Sequence, residues 1–207
     1  DYLLDVYPQI ASATGARTNP GLWAWGEGTT QGSLGNGTNS IGYSSPIQIG
    51  SLSNWSQISA GAGHALAIKS DGSLWVWGGN AYGQLGLSNL TNRSSPVQIG
   101  TSSWSQVSVG DSHSLGVTST GLLYAWGFNS TGQLGQSDTL SRSSPTQIGT
   151  SSWTIVKSKE GQGGVALTID GIIWAWGVGN SGEMGNGTIG TYNYSPTGLI
   201  APYNTYS

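Results

Sequence analysis

Two histidines, His64 and His113, stand 49 residues apart and are the first candidates for acid–base or metal chemistry in this chain. They occupy equivalent places in a repeated pattern, and the fourth copy carries Gly163 there with no substitute ligand. A pair of this kind reads better as structural, each imidazole bonding a backbone carbonyl inside its own unit. The nine carboxylates are Asp1, Asp5, Glu27, Asp71, Asp111, Asp138, Glu160, Asp170 and Glu183. Asp71 and Asp170 sit in hairpin-turn sequences, while Glu27 and Glu183 fall in polar loops. No two have a spacing that suggests a glycosidase pair. There is no cysteine, so thiolate chemistry, disulfides and thiolate metal sites are excluded. Neither a nucleophile elbow nor a phosphate loop occurs, because the glycines recur with the repeat and serve turns. No catalytic, cofactor-binding or metal-binding residue is assigned, no cofactor is expected, and the chain reads as a non-enzyme.

The elements around these residues must be built from an unusual composition. Only 7% of residues are charged, against about 25% in an ordinary globular protein. Glycine contributes 35 residues and tryptophan 10. Tryptophan this abundant and this regularly placed argues for a packed core rather than disorder. The surface must then be rich in Ser, Thr, Asn, Gln and Gly, a composition that fits an extracellular or virion-associated protein. The net charge of −3 offers no basic face for phosphates, so no nucleic-acid partner is expected. Lys157 and Lys159, beside Glu160, read as a solvated strand edge. No apolar run reaches the roughly 18 residues of a membrane span, so no membrane insertion is expected. Asp1–Ile10 lacks a basic start and does not read as an intact signal peptide.

Three motifs share one period of about 50 residues. Leu-Trp-Ala-Trp-Gly at 22–26 returns at 74–78, 123–127 and 173–177, with Tyr124 for one tryptophan. Ser-Ser-Pro-x-Gln-Ile-Gly stands at 44–50, 94–100 and 143–149, with a decayed copy at 194–200. Trp-x-x-Ile/Val begins at Trp55, Trp104 and Trp153. Each unit reads as four short strands. In the second, these are Trp55–Ser59, His64–Lys69, Leu74–Trp77 and Pro96–Ile99, the last starting at a proline and so suited to an edge. Asp71-Gly72 closes a tight hairpin. Trp75 and Trp77 lie on one face of their strand, Leu74 and Val76 on the other. A strand apolar on both faces needs a neighbour on both, which is the pattern of a propeller blade. The expected core is Trp23, Trp25, Trp55, Trp75, Trp77, Trp104, Trp126, Trp153, Trp174 and Trp176.

The unit Trp55, Ile58, Gly61, His64, Leu66, Asp71, Gly72, Leu74, Trp75, Trp77, Gly78, Asn80, Gly83, Gln84, Leu85 and Gly86 resembles the repeat of the regulator of chromosome condensation superfamily. The third unit repeats it at Trp104, Val107, Gly110, His113, Leu115, Gly121, Tyr124, Trp126, Gly127 and Asn129. The fourth departs at Gly163 and at Gly182-Glu-Met-Gly185, and the first keeps only its second half. The resemblance covers roughly residues 21–200 and is closer in style to bacterial and phage members, including a secreted β-lactamase-inhibitor propeller. It implies an all-β propeller, in a ring usually of seven blades that needs about 350 residues. This chain supplies about three full blades and partial ones. It is therefore a fragment, an open arc, or part of a ring completed by another chain. The expected organisation is an arm at 1–20, a repeat domain at 21–200 (units 21–50, 51–100, 101–149 and 150–200) and a tail at 201–207.

Exposed blade ends would leave apolar patches that mark an interface, so a protein partner or self-association through those ends is expected. Tyr43, Tyr82, Phe128 and Tyr192, read as lying in the loops after the Trp-x-Trp-Gly motifs, are candidate anchors for a protein partner. A surface glycan is a further candidate ligand. The function expected first is a structural or binding module, a decoration or fibre component of a virion or cell surface. A secreted, inhibitor-like binding propeller is the alternative. The resemblance also implies guanine-nucleotide exchange, against which stand the few blades and the lack of a basic tail.

Overall fold

The computed structural model describes residues 21–28, 31–39, 42–51, 54–159 and 161–199. The arm at 1–20 and the tail at 201–207 lie outside the described residues. Among the described residues no helix forms; every element is a strand. The first unit contributes the two-stranded pair β1 (Trp23–Gly26) and β2 (Tyr43–Gln48). The second is a four-stranded sheet of β3 (Trp55–Ala60), β4 (His64–Lys69), β5 (Leu74–Gly78) and β6 (Arg93–Ile99). The third is β7 (Trp104–Val109), β8 (His113–Thr118), β9 (Leu123–Gly127) and β10 (Arg142–Gln147). The fourth is β11 (Trp153–Lys159), β12 (Gly163–Thr168), β13 (Ile173–Gly179) and β14 (Thr191–Leu199). Each full sheet is an antiparallel meander in chain order.

The expected strands are present, with one difference at the outer edge. β6 begins at Arg93 rather than at Pro96. Pro96 lies in the break of register between the pairs Val76↔Val97 and Gly78↔Arg93, on the edge strand, where its missing N–H costs no ladder bond. The Asp71-Gly72 turn is made, with Gly72 at φ 82 and the Asp71 carboxylate accepting from the Ser73 N–H and hydroxyl. Those two bonds hold the Asp71 carboxyl below its ordinary value.

Alternation along the third strand of each blade decides how blades stack. Leu66, Ile68, Leu74, Val76, Leu85 and Ile99 form one cluster with Trp104, Val107 and Trp126 of the next blade. One blade on, Leu115, Val117, Leu123, Ala125, Leu134 and Ile148 pack on Trp153, Val156 and Trp176. Trp77 closes the same arrangement on Leu22, Ala24, Leu34 and Ile49 of the first unit. At each of these three junctions the earlier blade turns an aliphatic face to the later one, which meets it with a tryptophan. Trp77, Trp126 and Trp176 are fully buried, whereas Trp23, Trp25, Trp55, Trp75 and Trp174 are half-buried. Within a blade, Trp55 pairs edge-on with Trp75 at 6.2 Å, and the buried Trp153 with Trp174 at 5.8 Å.

Hydrogen bonds sort the blades in the same order. The indole Nε1–H donates across each junction: Trp77 to the Ser33 carbonyl (3.1 Å), Trp126 to Gln84 (2.9 Å) and Trp176 to Gln133 (2.8 Å). The loop beyond each of those carbonyls reaches over the next blade. Gly37 N–H donates to Ser94 O, Ser88 N–H to Ser143 O and Ser137 N–H to Tyr194 O. Glycine is required at the crossing: a Cβ on Gly83 (φ 81) would stand 2.5 Å from Ser143 Cα. Inner strands are joined as well, by the Gln57 side chain bonding both N–H and C=O of Val107.

The long loops after β5 and β9 are each held from inside by a buried asparagine. Asn129 Nδ2 donates to the carbonyls of Asp138 and Leu140 while its Oδ1 accepts from Leu134 N–H. Asn80 makes the equivalent set. Asn129→Ala is expected to lower stability by about 2–3 kcal/mol, because it strands several buried backbone groups at once. Urea unfolding of the variant checks this.

Candidate protein-binding surface

The histidines are placed at the start of β4 and β8 and are buried. They do not bond inside their own blades, as the sequence suggests; both reach the next one. His64 Nε2 lies 2.9 Å from Ser114 Oγ, which itself donates to the Gln84 carbonyl. His113 Nε2 lies 3.2 Å from the Gly163 carbonyl and 2.9 Å from Ser158 Oγ. The reason is the stacking of the blades, which brings residues of the following blade within reach of each ring. Burial pushes His64 down to about 3, with a further push from His113, and pushes His113 down to about 4. Both rings are therefore neutral linkers at neutral pH. Among the described residues, no three His, Asp or Glu side chains gather in a way that could hold a metal ion.

The carboxylates are dispersed in turns. Asp138 gains a salt bridge to Arg142 at 2.6 Å, and its own loop bonds hold its carboxyl low despite partial burial. Glu183 accepts from Ser181 N–H, which lowers its carboxyl in turn. Lys157 and Lys159 lie exposed on β11, a strand at the sheet edge.

The four candidate aromatics do not form one cluster. Tyr82 and Phe128 lie in or at the start of the loops after β5 and β9, as expected, and they touch: ring centroids 4.7 Å apart, tilted by 57°. The contact follows from the blade junction. The loop carrying Tyr82 is drawn over the next blade by Gly83 and Gln84, and Phe128 is the first residue beyond β9. Tyr82 keeps 46% of its surface exposed beside the half-buried Phe128. Tyr43 and Tyr192, by contrast, are not loop residues; they open or lie within the outer strands β2 and β14. β13 runs two residues past Gly177, and Val178 pairs with Tyr192, which turns the expected loop into strand. There Tyr192 stacks on Tyr194 at 6.3 Å. Sequence reading missed the shallow cleft between the second and third blades, lined by Leu87, Ile99, Trp104, Tyr124 and Pro145, whose volume is about 400 Å³. Its aromatics belong to the blade junction, so no motif distinguishes it.

The model of the regulator of chromosome condensation (RCC1) repeat matches residues 21–68, 71–117 and 120–163. The chain belongs to the RCC1 repeat family. Within that family it is 46% identical over 56 residues to the ultraviolet-B receptor UVR8 of Arabidopsis thaliana, covering 26% of this chain and 13% of the receptor. It is 38% identical over 80 residues to the mitochondrial RCC1 domain-containing protein RUG3 of the same plant, covering 38% and 18% of the two chains. The human probable E3 ubiquitin-protein ligase HERC3 matches at 35% over 80 residues, 38% of this chain and 8% of that one. In three dimensions, human WBSCR16 superposes with a TM-score of 0.77 at 23% identity, over 88% of this chain and 49% of its own. Prp20p of Saccharomyces cerevisiae, a structure reported together with its binding to Gsp1p and histones, gives 0.74 at 23% identity over 88% and 47%. The RCC1-type chain therefore spans about half the length of the solved propellers it resembles, and less than a fifth of these three relatives. A solved structure of yeast RCC1 (Prp20) shows that protein bound to Kap60.

Proposed function

We propose that this chain is a non-enzymatic RCC1-type docking module that holds a protein partner on the rim formed by Tyr82 and Phe128, at the surface of a particle or a cell. The carrying observation is the aromatic pair itself. Two rings from successive blades are pressed together on rigid loops, one of them half exposed. Rigid, partly exposed aromatics lose little freedom on binding and are the commonest anchors of protein interfaces. The surface setting is supported by the charge-poor, hydroxyl- and amide-rich composition. A photocrosslinking amino acid at position 82 or 128 tests the reading in the native source. The expected outcome is a covalent adduct with one defined protein from either position and none from position 170, in the turn at the opposite ends of the strands. Equal labelling from all three positions, or none, would count against it.

A further inference from the structure

Each four-stranded blade carries an edge-on aromatic pair that joins its first strand to its third. The pairs are Trp55–Trp75 at 6.2 Å and 80°, Trp104–Tyr124 at 5.6 Å and 68°, and Trp153–Trp174 at 5.8 Å and 71°. In the second blade the pair holds a cation. Lys69 Nζ stands 5.3 Å from the ring centroid of Trp55 and 4.6 Å from that of Trp75. The negative face of an aromatic ring attracts an ammonium at this range. Register places Lys69 there, as the β4 residue directly opposite Trp55 on β3. At the same register the next two blades carry Thr118, opposite Trp104, and Thr168, opposite Trp153. The Thr118 hydroxyl is engaged with Thr120 and with the Leu122 carbonyl. Among the described residues, no cation stands over Trp104 and Tyr124.

What the third blade has in place of a lysine is room. Trp104 and Tyr124 wall the cleft of about 400 Å³ between the second and third blades, a volume within the range of ligand sites. Gly116 on β8, paired with Tyr124, lets the Trp104 ring settle onto the sheet: a Cβ there would stand 2.7 Å from Trp104 Cζ3. The second and fourth blades have Ala67 and Ala166 at this place. Leu87, Ile99 and Pro145 add apolar wall, and no charged residue lines the cleft to repel a cation. The net charge of −3 favours a cationic guest as well. A lysine fits both parts of this lining. Its four-carbon stem covers apolar wall while its ammonium lies over the rings. We infer that the cleft receives a lysine side chain of a partner protein, its ammonium held over Trp104 and Tyr124 as Lys69 is held over Trp55 and Trp75. The site is separate from the rim proposed above, since neither Tyr82 nor Phe128 lines it.

The test titrates the 207-residue chain with Nα-acetyl-lysine N-methylamide and follows the indole resonances by NMR. A saturable shift at Trp104 is expected, with a dissociation constant of about 1–10 mM for this single side chain. The norleucine counterpart has the same stem without the amine and should bind about fivefold or more weakly. That comparison is read on the unaltered chain and depends on no variant. Tyr124→Leu keeps the wall apolar and should weaken the lysine probe about threefold, with the norleucine probe unchanged. Thr118→Lys gives the third blade the arrangement of the second, so it should fill the site from within and abolish the shift. Tyr82→Ala should leave the shift as it is, which separates this inference from the rim. Equal binding of the two probes would overturn it and leave only an apolar cleft. A shift that survives Thr118→Lys, or none up to about 100 mM, would overturn it too. Tighter binding of tetramethylammonium than of the lysine probe would overturn it in favour of a small free cation.

Discussion

Trp126→Ala is expected to destabilise the chain by about 3–5 kcal/mol, the range for deleting a fully buried aromatic from a core. Three losses coincide at this position. The ring sits at 0% exposure in the cluster that joins the second blade to the third. Its indole N–H is bonded to the Gln84 carbonyl, which Ser114 Oγ also uses. Its neighbour Trp104, 5.7 Å away edge-on, loses a partner. The void cannot collapse easily, because backbone on one side is a sheet and on the other is the Gly83–Gly86 loop fixed by Asn80. Urea unfolding should move to a lower midpoint without a change of slope, the signature of altered stability rather than altered compactness. Trp126→Phe should recover part of the packing and none of the hydrogen bond. Ile173→Asp, at an exposed site on β13, is the contrasting control and should cost under about 1 kcal/mol.

Acid should loosen the same junctions through the histidines. Unfolded, each imidazole titrates near its ordinary 6.5; folded, His113 titrates at about 4 and His64 at about 3. Between those values the unfolded chain takes up protons that the folded chain refuses. The neutral rings therefore contribute stability that is fully present above pH 6.5 and is lost as pH falls toward 4 and then 3. Holding both rings neutral so far below their ordinary range is worth several kcal/mol in all, at about 1.4 kcal/mol for each tenfold change in proton affinity. Unfolding midpoints measured at about pH 7.5 and about pH 5 should differ clearly. That window lies above the range where Asp71, Asp138 and Glu183 take up protons, since all three carboxyls are held low. His64→Gln and His113→Gln should each flatten the dependence. An unchanged midpoint across the window would show that the rings are more hydrated than their burial implies.

Much of the fold is legible in the sequence because the period carries it. Leu74, Trp75, Val76 and Trp77 alternate two apolar types on one short strand, and a strand with two apolar faces can only sit between others. That argument puts the aliphatic and tryptophan faces where the structure has them. What the sequence hides is anything that depends on how far one blade leans on the next. His64 and His113 look like local capping groups, since a sequence shows their own turns and not the Ser114 or Gly163 that lies across the gap. Tyr43 and Tyr192 look like loop residues because strand ends are set by tertiary pairing; Val178 and Gly179 extend β13 and take Tyr192 with them. The clasp formed by Gly83, Gln84 and Ser88 is visible only as a turn motif until its partner strand is in place.

Among the described residues three junctions of one design join the blades, and hydrogen–deuterium exchange tests that account most directly. In dilute solution, amides of β12 and β13 should exchange well ahead of their equivalents in β8 and β9, whose face is covered by the next blade. Equal protection of the two blades would contradict the account.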